Sequence, residues 1–150
     1  MTEVLFYHLE NLTLESVLPK LLEKSVERGW RAVVQASSDE RVDVIDAHLW
    51  TYRDDSFLAH GTTRDRDCAE HPVLITAEGG NRNGAQIRFL VDGAAVPEDA
   101  AAYERIVLIF NGEDDDAVAA ARSQWTACKG QGFEVTYWQP DDAGRWQRKA

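Results

Sequence analysis

The chain has 150 residues, 44% hydrophobic and 28% charged, with 26 acidic residues against 16 Lys and Arg and a net charge of −10. That length and balance describe one soluble globular domain, able to bury a core without disulfides or metal. The charge excludes a broad nucleic-acid surface, which needs a basic face to displace counterions, and no apolar run approaches the roughly 20 residues of a membrane span.

Met1-Thr2-Glu3 leads straight into an apolar segment with no basic stretch before it, so no secretory signal is expected. Glu3 to Leu9 (EVLFYHL) is the first expected strand. Thr13 caps a helix from Leu14 to Arg28, with Leu14, Val17, Leu18, Leu21, Leu22 and Val26 at helical spacing. Pro19 falls inside that pattern and is expected to shift the start or bend the helix. Gly29 ends it, and Trp30 to Ala36 (WRAVVQA) is the second strand. Ser37 with Glu40 has the spacing of a capping box for a second helix that runs to about Trp50, with Val42, Ile45 and Leu49 inward.

The middle is less regular. Thr51 to Ser56 and Gly61 to Pro72 are polar loops around Phe57-Leu58-Ala59-His60. Val73 to Thr76 is a short buried strand, Gly79 to Gly84 (GGNRNG) a loop too varied for a phosphate cradle, and Gln86 to Val91 another strand. Ile106 to Phe110 is a continuous apolar run, as expected of a strand covered on both faces. Asn111-Gly112 breaks it, and Glu113 to Asp116 places four acids at the positive end of the next helix dipole. Ala117 to Cys128 is alanine-rich and helical, Gly130 and Gly132 mark its end, and Phe133 to Trp138 is a strand that closes a β-α-β unit. Alternating strands and helices imply an α/β fold, and with no linker or repeat residues 1–150 form a single domain.

The motifs that would give this pattern an enzymatic reading are missing. There is no GxxxxGK[ST], no GxGxxG after the first strand and no GxSxG elbow. His60, Asp65, Asp67, Cys68 and His71 are residue types that bind zinc or build a Cys-His pair, but their spacing matches no ligand pattern and is expected to be a plain polar loop. His8 and His48 fall on core elements and are expected to be structural. Cys68 and Cys128, far apart and without CxxC spacing, fit a reducing cytoplasm. No cofactor and no metal are expected.

Two constellations remain. On the last helix Arg122 and Lys129 are about two turns apart on one line, with Trp125 about 60° to one side. An aromatic beside two cations makes a pocket for a group that is both apolar and anionic; the same spacing is met by a tryptophan that simply joins the core while the cations are solvated. Trp50 and Phe57 flank the TYRDDS loop, either as an exposed apolar patch for a partner or folded inward as a lid on the core.

FYHL (Phe6 to Leu9), Leu49-Trp50 followed by Ser56-Phe57, HPVLIT (His71 to Thr76) and IFNGEDDDAVAAARSQW…GFEVTYW together resemble, in order and spacing, the chi subunit of bacterial DNA polymerase III over essentially the whole chain. The resemblance implies a three-layer α/β/α fold with a mostly parallel sheet, Rossmann-like but without a nucleotide site, and a non-catalytic clamp-loader accessory subunit. It implies two partners: the acidic, phenylalanine-terminated C-terminal tail of single-stranded DNA-binding protein, and the psi subunit. By position, Arg122 and Trp125 match the tail pocket, and Trp50 and Phe57 match the aromatic patch for psi or a helicase. Thr126 departs from the family pattern, in which lysine is frequent there, and Lys129 is placed to compensate. The alternative from another class is a small α/β hydrolase or nucleotide-binding enzyme. The net charge argues against direct DNA binding, so contact with nucleic acid is expected to be indirect.

Overall fold

The computed structural model describes residues 2–51, 59–143 and 145–150. The elements are β1 (Glu3–Leu9), α1 (Leu14–Glu27), β2 (Ala32–Gln35), α2 (Asp39–Thr51), β3 (His60–Thr62), β4 (Val73–Thr76), β5 (Ile87–Leu90), β6 (Arg105–Asn111), α3 (Asp115–Gly130), β7 (Glu134–Pro140) and β8 (Trp146–Arg148). They build one eight-stranded sheet of order β3-β4-β2-β5-β6-β1-β7-β8. Every neighbouring pair is parallel except β7 and β8. Val17, Leu18, Leu22, Val42, Ile45 and Leu49 of α1 and α2 bury against one face, and Ala121 and Cys128 of α3 against the other. The result is the α/β/α sandwich expected from the sequence.

Local chemistry explains the elements. β1 lies between β6 and β7, so it must be apolar on both sides: Leu5 and Leu9 join the cluster under α1 and α2, Val4 and Phe6 the cluster under α3. Thr13 caps α1 by accepting from the Ser16 amide. Pro19 is tolerated inside α1. Its missing N–H orphans the Glu15 carbonyl, and His48 Nε2, 2.7 Å away, donates to that oxygen from α2. His48 is therefore structural, as expected. Gly29, at φ +86°, lets the chain leave α1 in the left-handed region.

The structure moves several boundaries. The second helix is capped by Ser38, whose Oγ accepts from the Arg41 amide at 3.3 Å, rather than by Ser37. Trp30 and Arg31 lie outside β2, and α3 starts two residues earlier than expected and includes Gly130. Two strands had no clear sequence signal. β3 starts at His60 and runs into the expected Gly61 to Pro72 loop, with His60, Gly61 and Thr62 buried beside β4. β8 adds a short antiparallel edge.

Arg88 on β5 is fully buried. Its guanidinium donates to Gln35 Oε1 at 3.0 Å, to the carbonyls of Glu78 and Gly80 at 2.8 Å each, and to the Tyr103 hydroxyl at 2.9 Å. Dipoles rather than a carboxylate hold this charge. The arrangement ties the 79–84 loop, read from sequence as irregular, to the body of the sheet. Asn83 does the same on the other side, donating to the carbonyls of Ala32 and His71.

Candidate partner-binding site

Helix α3 begins with Asp114 as its cap, accepting from the amides of Asp116 and Ala117. Its inward side is set by Ala121 and Cys128, both buried. Burial raises the Cys128 thiol above its usual range, so this thiol is held neutral and unreactive. Trp125 sits between the two sides of the helix. Its ring is half-buried and meets Phe6 edge-on at 5.4 Å and Tyr137 edge-on at 6.0 Å. The Lys129 ammonium lies 4.9 Å from the centre of the Trp125 ring. Arg122 is exposed one turn earlier, within range to influence the Tyr137 phenol. Both readings of Trp125 thus hold in part: one portion of the indole joins the core and the rest carries a cation on an accessible surface.

The surroundings extend beyond the three residues the sequence singled out. Tyr137, opposite Phe6 in the β1–β7 register, forms a very short hydrogen bond with His8 Nδ1. His8 Nε2 lies 3.1 Å from Glu10 Oε1. Burial pushes the Tyr137 phenol up, with the Gln139 hydrogen bond and the Arg122 charge pulling partly back, so the hydroxyl keeps its proton at neutral pH. The Lys149 backbone amide donates to the Tyr137 carbonyl, and Arg148 lines a hollow with Tyr7 and Trp138.

The other sequence candidates separate. Trp50, at the end of α2, is 54% exposed, and its ring packs at 4.5 Å on His60. Phe57 lies outside the described residues. His60 turns to Asp46, 3.2 Å from its carboxylate, while His71 lies 3.5 Å from Asp65 and 3.4 Å from Asp67. The histidines of that loop thus go to separate carboxylates, Cys68 joins neither pair, and among the described residues no group of three or more such side chains could hold a metal ion.

At the carboxyl ends of β1, β5 and β6, where nucleotides bind in related sheets, there is a cleft of about 850 Å³. Glu15, Asp92, Glu113, Asp114 and Asp116 line it, with Arg41 as the cation, itself bonded to Asp92 at 2.8 Å. Thr13 and Asp114 already occupy the helix N-termini facing it. This electrostatic setting disfavours a phosphate.

The family model described as DNA polymerase III chi subunit, HolC, matches residues 1–136. The chain belongs to the chi subunit family. A probable DNA polymerase III subunit chi from Rickettsia prowazekii (strain Madrid E) is 25% identical over 115 residues, covering 73% of this chain and 70% of that protein. The chi family supplies a replication accessory subunit of the DNA polymerase III holoenzyme, which bears out the resemblance seen in the sequence. No helix among the described residues is long and apolar enough to cross a membrane. The match to chi contains all of α3 and ends at Thr136, so Tyr137 and β8 lie beyond it.

Proposed function

We propose that this chi-family protein links the DNA polymerase III clamp loader to single-stranded DNA-binding protein by holding the acidic C-terminal tail of the latter. The observation that carries the reading is the cation-bearing, half-buried indole of Trp125 beside exposed Arg122. A terminal phenylalanine would lay its ring against Trp125, worth roughly 1.5–3 kcal/mol. Its carboxylate would meet Arg122, and Lys129 and Lys149 would attract the tail's acids, mainly raising the association rate. Association costs about 4–15 kcal/mol, so the balance supports a roughly micromolar complex that loosens with salt. That affinity suits a contact made and released during replication. Titrating a labelled tail peptide into the protein tests the reading: saturable micromolar binding is expected, and equal affinity for a peptide lacking the terminal phenylalanine would rule the site out.

Trp50 and Phe57 are proposed to serve the second partner, psi or a helicase, independently of the tail. Trp50 supports this by its exposure at the end of α2, on a different element from α3. The expected outcome of the double alanine substitution is loss of clamp-loader or helicase capture with tail affinity unchanged. Circular dichroism is the control: an unfolded double variant means the two rings are core, and the patch reading fails.

A further inference from the structure

Glu10, His8 and Tyr137 form a hydrogen-bonded line that ends at the Tyr137 ring, which meets Trp125 edge-on at 6.0 Å and whose phenol feels the Arg122 charge; the tail pocket makes no use of this line. The His8 side chain is 10% exposed. Phe110 meets its ring edge-on at 5.3 Å. Gly112 has to lack a side chain here, because a Cβ at that position would fall 1.9 Å from His8 Nε2. The ring is thus held with Nε2 toward Glu10 and Nδ1 toward Tyr137.

This geometry fixes where the protons go. The ionised Glu10 carboxylate only accepts, so Nε2 carries a hydrogen in both charge states of the ring. In the neutral imidazole Nδ1 is then bare, and the Tyr137 hydroxyl donates to it. The phenol oxygen shows only lone pairs to its surroundings and has nothing to give a carboxylate. In the imidazolium Nδ1 gains a hydrogen and donates to the phenol oxygen. The Tyr137 proton is released from His8 and is free to turn toward an anion beside Arg122.

We propose that Tyr137 is a specificity-determining donor for the carboxylate end of the ligand held by Arg122 and Trp125, and that His8 decides whether its proton is available. This rests on the tail-binding reading above. The groups around the pair are few. Glu10 belongs to the same chain segment as His8, and Glu113, from the turn after β6, bonds the Asn11 amide at 3.3 Å. β7 presents Tyr137 and the uncharged Gln139, β6 presents Phe110, and α3 presents Arg122. The ligand binds the form with a protonated ring better, so affinity rises with acidity and binding takes up a proton. The ligand's own terminal carboxylate, with a pKa of about 3.5, stays charged throughout.

The test is anisotropy of a labelled tail peptide with the full chain at about pH 6 and about pH 8, at constant ionic strength. Wild type is expected to bind roughly five- to tenfold tighter at the lower pH, the worth of one hydrogen bond. Tyr137→Phe keeps the ring against Trp125 and is expected to lose most of that ratio, as is His8→Gln. A ratio near one in wild type, or the wild-type ratio retained in Tyr137→Phe, overturns the proposal while leaving tail binding standing. No binding at either pH overturns the tail reading and this inference with it. Should His8→Gln fail to fold, the Tyr137→Phe comparison decides alone.

Discussion

Replacing Arg88 by methionine is expected to lower the unfolding free energy by about 3 kcal/mol, with a fall in Tm of roughly 10 °C for a chain of this size. Two opposing effects set the magnitude. Removing the guanidinium relieves the cost of burying a charge, which in the interior is several kcal/mol. Against that, the Glu78 carbonyl, the Gln35 amide oxygen and the Tyr103 hydroxyl lose the Arg88 donor, and the Gly80 carbonyl keeps only the Tyr103 hydroxyl at 3.4 Å. Each buried acceptor left without a partner costs about 1–3 kcal/mol, so the several losses outweigh the single relief. Methionine keeps most of the volume and so isolates the hydrogen bonds from a cavity effect. Arg88→Lys keeps the charge without the planar fork and is expected to fall between the two. Urea unfolding measures the difference. A methionine variant as stable as wild type would show that the loop and strand hold without the guanidinium. Loss of stability should be accompanied by faster amide exchange around Glu78 and Gly80, whose carbonyls Arg88 holds.

Arg88 also marks the limit of what the sequence discloses. Ile87, Phe89 and Val91 belong to one core cluster and Leu90 to the other, so a strand is readable, but nothing in the pattern says that an arginine between two apolar residues is buried on a covered face. The last β-α-β unit was legible for the opposite reason. Ile106 to Phe110 is apolar at every position, and four acids, Glu113 to Asp116, mark the start of the helix that follows. β3 and β8 are three residues each and carry no periodicity; β3 is held by pairing to β4 and by His60 meeting Asp46, both tertiary facts. Ser37 and Ser38 are adjacent and chemically alike, so only the phase of the helix chooses the cap. The site shows the same division. Arg122, Trp125 and Lys129 share one helix, where spacing determines proximity. His8 and Tyr137 are 129 residues apart, and only the parallel register of β1 and β7 brings them to the same place.

Arg122→Ala is expected to weaken binding of the phenylalanine-terminated tail peptide by roughly ten- to a hundredfold at low salt, through a charge-assisted bond worth about 1.5–3 kcal/mol. Its exposure in the free protein favours the lower part of that range, since a solvated guanidinium gives up water to bind. The value nevertheless exceeds that of an ordinary surface pair for two reasons. The ligand ring against Trp125 would exclude water from one side of the contact, and Phe6 and Tyr137 hold that indole from either side in the free protein. The substitution should leave the fold intact, because Arg122 lies on the outer side of α3 while Ala121 and Cys128 carry the inner side. Lys129→Ala removes a cation that rests on the indole face, and it is expected to cost less and to act mainly on the association rate. The two can be told apart by salt. Arg122→Ala should raise the dissociation rate even at high ionic strength, whereas the Lys129→Ala defect should shrink as the charges are screened. Surface-immobilised peptide with both variants at two salt concentrations reads these rates directly. Unchanged dissociation in Arg122→Ala would mean that the carboxylate is held elsewhere on this face, and the assignment of the anionic end to Arg122 would be withdrawn.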